Sequence, residues 1–255
     1  MLWLILVGRR SVLVIIGITS AFFWLVSMAL ASLLWTIVPA AQNAWILVTI
    51  TGVGLQGFGR HVLARVYIKA EKMINEARNA DSAANGGPGG RRRTGEGEAM
   101  GGNETVQLDS HEHISSSLKL NGISSSIAAG VGWGAIHAVI IVGTALSKHF
   151  GPGAAFSKSC PRIPSVIVIS LSAQAFFWLD LLLMAATFAA SRSGDASLLW
   201  WSLASHYLAA STTGFNLMEG GCVVSLPLLY AVVIISALVL GYYGPLRAAM
   251  SHLRR

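Results

Sequence analysis

Eleven acidic residues occur in the chain, and only Asp180 stands deep inside an apolar run. That lone carboxylate bounds the chemistry. An aspartyl protease working inside a membrane needs two carboxylates sharing a water, so this chain by itself is not one. A rhomboid-like serine protease needs a nucleophile on a strained, Gly-flanked turn together with a His; Ser124, Ser125 and Ser126 lie in a helical run instead. His111-Glu112-His113 lacks the spacing that puts two imidazoles on one helix face around zinc, and it reads as loop. No metal site and no cofactor are expected.

Asp180 has a candidate partner in His206. Two apolar runs, Ser165 to Ala190 and Ala196 to Phe215, are joined by the short connection Ser191–Asp195 and read as a helical hairpin. Asp180 stands ten residues before Ala190 and His206 ten after Ala196. At ~1.5 Å per residue both lie roughly 15 Å from the same membrane face. An unpaired charge at mid-bilayer costs on the order of 3 kcal/mol or more, which an Asp180–His206 pair would offset. Three outcomes stay open: structural glue, a proton relay or ion site, or no meeting at all.

A second pattern occupies the run from Leu120 to Leu146. Gly122, Ser126, Gly130 and Gly134 recur every four residues, with Ala138 continuing the row. In lipid there is no hydrophobic gain between helices, so close packing must supply the energy, and a small-residue stripe permits it. The stripe either packs within this chain or docks a partner subunit's helix. His137, one turn from Gly134, reads as a satisfied core histidine. Arg60, near the cytosolic end of its run, reads as a snorkelling side chain rather than a site. Cys160 and Cys222 fall in two loops on one non-cytosolic side, a compartment that permits disulfides; a bridge and two free thiols both stand open.

The elements that must position these residues are membrane helices. The chain has 255 residues, 54% hydrophobic and 11% charged, against about 25% charged in a soluble domain. Mean hydropathy is +0.62. A compact soluble fold cannot hide that much apolar surface, and disorder requires low hydrophobicity. The expected fold is all-α, a polytopic transmembrane bundle. Spans need roughly 20 residues, and six runs qualify: Val12–Val38, Trp45–Ile68, Leu120–Leu146, Ser165–Ala190, Ala196–Phe215 and Val223–Gly244. The stub Met1–Val7 is too short to cross and reads as the tail of a further, partial helix. Three regions follow: 1–69 with the partial helix and two spans, 70–119 as a flexible cytosolic linker, and 120–255 with four spans and a short tail. The linker centre, GGPGGRRRTGEGEAMGGN, is Gly-rich with mixed charge and has no fold of its own. Its leading flank, VYIKAEKMINEARNA, reads as a helix emerging into water.

The net charge of +7 suggests cytoplasmic loops rather than nucleic acid. Placing residues 70–119 in the cytosol puts 13 of the 18 Lys and Arg residues there and three, Lys148, Lys158 and Arg162, on the other side. That bias sets the topology and makes the C-terminus cytosolic. The sequon Asn103-Glu104-Thr105 then lies in the cytosol and is expected to be unglycosylated.

Taken in order, five segments resemble the Aph (anterior pharynx defective) subunit family of gamma-secretase. They are Ala21–Trp35 (AFFWLVSMALASLLW), the Gly122/Gly130 stripe, Gly151-Pro152-Gly153, Ser205–Asn216 (SHYLAASTTGFN) and Ser225–Val232 (SLPLLYAV). The segments around His137, Cys160 and Glu219–Cys222 are most similar to plant members. The resemblance implies seven transmembrane helices and a scaffold that is not itself the protease. Such a scaffold binds nicastrin, presenilin and the presenilin enhancer subunit, with presenilin supplying both catalytic aspartates. It implies residence in the endoplasmic reticulum, Golgi, other endomembranes and the plasma membrane. It further implies that a GxxxGxxxG motif and two intramembrane histidines support assembly. Gly122 and Gly130 match that motif, with Ser126 in place of the middle glycine. His206 matches the second histidine, and Asp180 stands where the first would be.

The competing reading is a small transporter or channel with Asp180, His206 and Arg60 in a polar path. It expects inverted repeats and a water-filled cavity around Asp180. A scaffold expects a direct Asp180–His206 contact and an exposed Gly122–Gly134 face. A seven-helix receptor is disfavoured by the short loops.

Overall fold

The computed structural model describes residues 11–38, 44–85, 122–148 and 156–242. The stub, the sequon, His111–His113, Gly151–Gly153 and most of the 70–119 linker lie outside them. Six α-helices occur among the described residues: α1 (Ser11–Ile37), α2 (Trp45–Asn85), α3 (Gly122–Lys148), α4 (Ser165–Ser193), α5 (Ala196–Thr213) and α6 (Cys222–Tyr242). A small antiparallel pair, β1 (Phe156–Ser157) and β2 (Cys160–Pro164), precedes α4. The architecture is that of a helical membrane protein.

Five of the six helices are long and apolar enough to cross a membrane. All six expected runs appear as helices; the sixth by apolar character is α5, whose 18 residues match the length while Ser, Thr and His dilute its hydropathy. Those side chains face inward: Ser202, Ser205, His206 and Thr212 are all buried. Turned towards neighbouring helices, these polar groups avoid lipid, while Trp200 and Leu208 remain exposed on the outer side of α5.

Two compact units divide the chain, Met1–Arg65 with Gly122–Arg255 and, separately, Val66–Asn121. In the second, the described part is the distal length of α2, where exposed Lys72 and Glu76 pair at 3.7 Å across one helical turn, a spacing that places side chains side by side.

In the first unit the usual soluble arrangement is inverted. Ile15, Ile18, Phe22, Val223, Ile234 and Leu238 are largely exposed, whereas Ser20, Ser27, Ser225, Ser236, Arg60 and Asp180 are buried. An outer surface this apolar is at home in hydrocarbon and would aggregate in water. α4 contributes most to the core: its Ala175, Phe176, Leu179 and Leu183 pack with Ala209 of α5 and with Leu229 and Val232 of α6.

The α4–α5 hairpin is set by local chemistry. Gly194 adopts φ 72° and its N–H caps the carbonyl of Ala190, a left-handed helix end that glycine alone takes without a Cβ clash. Asp195 then starts α5, its carboxylate accepting from the Ser197 N–H at 2.8 Å, one of the orphan donors of a first turn.

Candidate functional site

The small-residue stripe lies against α4 of the same chain. A Cβ on Gly130 would come within 2.9 Å of the Leu181 Cα, and one on Gly134 within 2.8 Å of the Phe177 carbonyl oxygen. Both obstacles are backbone, which cannot swing aside. A Cβ on Gly122 would instead meet the Arg192 guanidinium at 2.6 Å, the far end of a flexible side chain. Ser126 is buried and returns its hydroxyl hydrogen to the Ile123 carbonyl at 2.8 Å, so a polar residue is accommodated in the row without a second helix to bond it. The expected exposed Gly122–Gly134 face is therefore corrected: α4 covers it. The opposite side of α3 packs equally closely on α1, where a Cβ on Gly132 would overlap the Gly17 backbone and Ser20 Oγ donates to the Ala129 carbonyl at 2.6 Å.

Asp180 and His206 do enter one cluster, but a third residue joins them. Arg60 Nη1 donates to Asp180 Oδ1 at 3.1 Å, and Arg60 Nη2 contacts His206 Nδ1. The second carboxylate oxygen, Oδ2, is bonded by His137 Nδ1 at 2.6 Å. Arg60, Asp180 and His206 are 1%, 0% and 2% exposed. The guanidinium carbon also stands 5.7 Å from the centre of the Trp133 ring, within cation–π range.

One reading from sequence changes here. Arg60 is not a snorkelling side chain; it is buried and neutralises Asp180. His137 is satisfied, as expected, and its partner Asp180 stands on α4, the helix that the glycine stripe packs against. The tautomers follow from the partners. A guanidinium only donates, so His206 Nδ1 accepts and its proton sits on Nε2. A carboxylate only accepts, so His137 Nδ1 carries the hydrogen and, in the neutral ring, Nε2 carries the lone pair. Desolvating two charges is repaid only when geometry is good and remaining polar atoms are satisfied; both Asp180 oxygens meet that condition, whereas Arg60 Nε has no partner among the described residues.

The cysteines form a Cys160–Cys222 disulfide with Cα atoms 5.7 Å apart. It ties β2 to the first residue of α6, and backbone hydrogen bonds reinforce the junction: Cys222 N–H to Ser159 O at 3.2 Å and Gly220 N–H to Lys158 O at 3.3 Å.

Beside the cluster lies a cavity of about 360 Å³, with His137 and His206 on its wall and Asp180 behind them. The transporter reading placed Asp180 in such a space. Asp180 instead lies outside the lining, fully consumed by Arg60 and His137. Among the described residues no group of three or more metal-binding side chains occurs.

Comparison with known proteins identifies the family. The family model described as Aph-1 protein matches residues 1–243. The chain is also similar to the gamma-secretase subunit APH1-like of Arabidopsis thaliana, at 25% identity over 235 residues, covering 91% of this chain and 82% of that relative. A match over nearly the whole length, on a bundle whose helices carry the stripe and the buried cluster, means that the chain belongs to the Aph-1 family.

Proposed function

We propose that this chain is a non-catalytic scaffold subunit of a gamma-secretase intramembrane protease complex, holding presenilin, nicastrin and the presenilin enhancer subunit in the membrane. The observation that carries this reading is the state of Asp180. It is 0% exposed, and both its oxygens are bonded within the chain. A carboxylate that activates water has to reach water and substrate; one locked between Arg60 and His137 holds helices instead. The name of the Arabidopsis relative supports membership of the complex.

In this proposal the stripe Gly122, Ser126, Gly130 and Gly134 serves assembly indirectly. It sets the spacing of α3 and α4, and that spacing shapes the outer surface offered to partners. The Asp180–Arg60–His206 cluster fixes α2 and α5 onto that frame, and the Cys160–Cys222 bridge pins α6. The cytosolic C-terminus and the endomembrane location belong to the same proposal.

The test is recovery of an affinity-tagged full chain in mild detergent, followed by mass spectrometry. Co-purification of presenilin and nicastrin is expected. A second reading, transport, is favoured by the cavity beside His206. A chain that runs without companions and carries solute flux in liposomes would establish it and remove the scaffold.

A further inference from the structure

The cavity between α1, α2, α3, α4 and α5 has a one-sided chemistry. The Gln56 side chain is only 6% exposed and lines it, and its Oε1 has no hydrogen-bond partner among the described residues. Its amide nitrogen is turned to Met28 Sδ at 3.1 Å, which leaves the oxygen as the free end. Asn216 also lines the cavity, and its buried Oδ1 is likewise unpartnered among the described residues.

The hydroxyls add to this. Ser172 donates its hydrogen to the Val168 carbonyl at 2.9 Å, and Thr213 donates to the Ala210 carbonyl at 2.6 Å. Both therefore present lone pairs to the wall they line. His137 also lines the wall, its Nδ1–H committed to Asp180 at 2.6 Å. The hydrogen on His206 Nε2 stands against all of these acceptors. Arg60 bonds Asp180 and His206 through its two terminal nitrogens, its Nε has no hydrogen-bond partner among the described residues, and it is not part of the lining.

An unbonded buried acceptor costs free energy comparable to a lost hydrogen bond, and two amide oxygens in one wall define what would relieve it. We propose that this cavity binds a small primary-ammonium group, a cation with three N–H donors to set against the acceptors of Gln56, Asn216, Ser172 and Thr213. The rings of Phe176 and Trp35, also in the wall, suit the positive charge. About 360 Å³ is roughly a dozen water volumes at ~30 Å³ each, room for the ammonium and the carbons that bear it. Two sources share this chemistry, a free amine and the headgroup of an ethanolamine phospholipid. The inference concerns only the ammonium site and stands or falls apart from subunit assembly.

The test uses the full chain in phosphatidylcholine nanodiscs and saturation-transfer NMR of methylammonium chloride, with tetramethylammonium as a cation lacking N–H donors. Transfer to methylammonium and none to tetramethylammonium is expected. Gln56→Met and Thr213→Val remove acceptors at nearly constant volume, and each should weaken methylammonium binding about tenfold or more, the size of one hydrogen bond to a charged group. Should one variant fail to fold, the other carries the same test. Nanodiscs containing phosphatidylethanolamine separate the sources: loss of the methylammonium signal identifies the lipid headgroup, and its persistence identifies a free amine. Equal transfer to both cations, no transfer at all, or affinity unchanged in the folded variants would leave a water-filled cavity only and overturn the proposal.

Discussion

The two sides of this bundle are built on opposite principles. Between α3 and α4 the backbones themselves meet, with Gly130 facing the Leu181 Cα and Gly134 facing the Phe177 backbone. Around α2 the connections are long side chains: Arg60 reaches Asp180 and His206, Gln56 reaches Met28, and the Tyr207 hydroxyl donates to the Ile50 carbonyl at 2.8 Å. The first side is closely packed backbone, with the His137–Asp180 bond as a polar crossing at 2.6 Å; the second rests on polar side chains and borders a cavity. In lipid both are workable, since helix association draws on dispersion where backbones touch and on hydrogen bonds where they do not. The difference lies in tolerance. A tight interface fails by overfilling, and a polar one fails by losing a partner.

Substitutions on each side break the comparison in different ways. The largest loss is expected for Arg60→Met, which strands Asp180 as an uncompensated buried charge; about 3–5 kcal/mol of stability should vanish, read as a drop in the thermal midpoint of the purified chain. Arg60→Met combined with Asp180→Leu removes both charges, so most of that loss should return. A double variant no more stable than Arg60→Met would show that Arg60 acts through His206 or Trp133 rather than through charge balance. On the packed side, Gly130→Ala should cost about 1–3 kcal/mol, the range for overpacking, because the added methyl meets backbone at Leu181; the same thermal measurement checks it. Gly122→Ala should cost less than about 1 kcal/mol, since the methyl meets only the mobile tip of Arg192 and exposed changes are usually this small. Equal costs at the two glycines would mean that the stripe acts by helix propensity and not by closeness.

A carboxylate at position 180 needs a countercharge, and Arg60 supplies one from α2, 120 residues away in sequence. The polar link to His206 is relayed through the guanidinium.

Depth along the helices links Arg60 to Asp180 as it links Asp180 to His206. Arg60 stands fifteen residues after Trp45, where α2 starts, and Asp180 fifteen after Ser165, where α4 starts. Under the expected topology both helices enter from the same face, so the two share a depth. A long basic side chain can also reach the lipid boundary, and nothing in one sequence says which option is taken. His137 carried a similar signal, since its face was legible but its neighbour was not.

Composition and periodicity alone determine that this is a membrane-helical chain, where most of its helices run, that one carboxylate lies deep within them, and that α3 has a face of small residues. These are properties of a single helix in hydrocarbon, where length and residue type settle the outcome. Which helix covers the glycine face, that Arg60 rather than His206 holds Asp180 directly, that Cys160 reaches Cys222, and that amide oxygens collect in one cavity were settled only when the helices packed. Each of these depends on the azimuth of one helix against another, and that angle is fixed by the fit of many side chains at once.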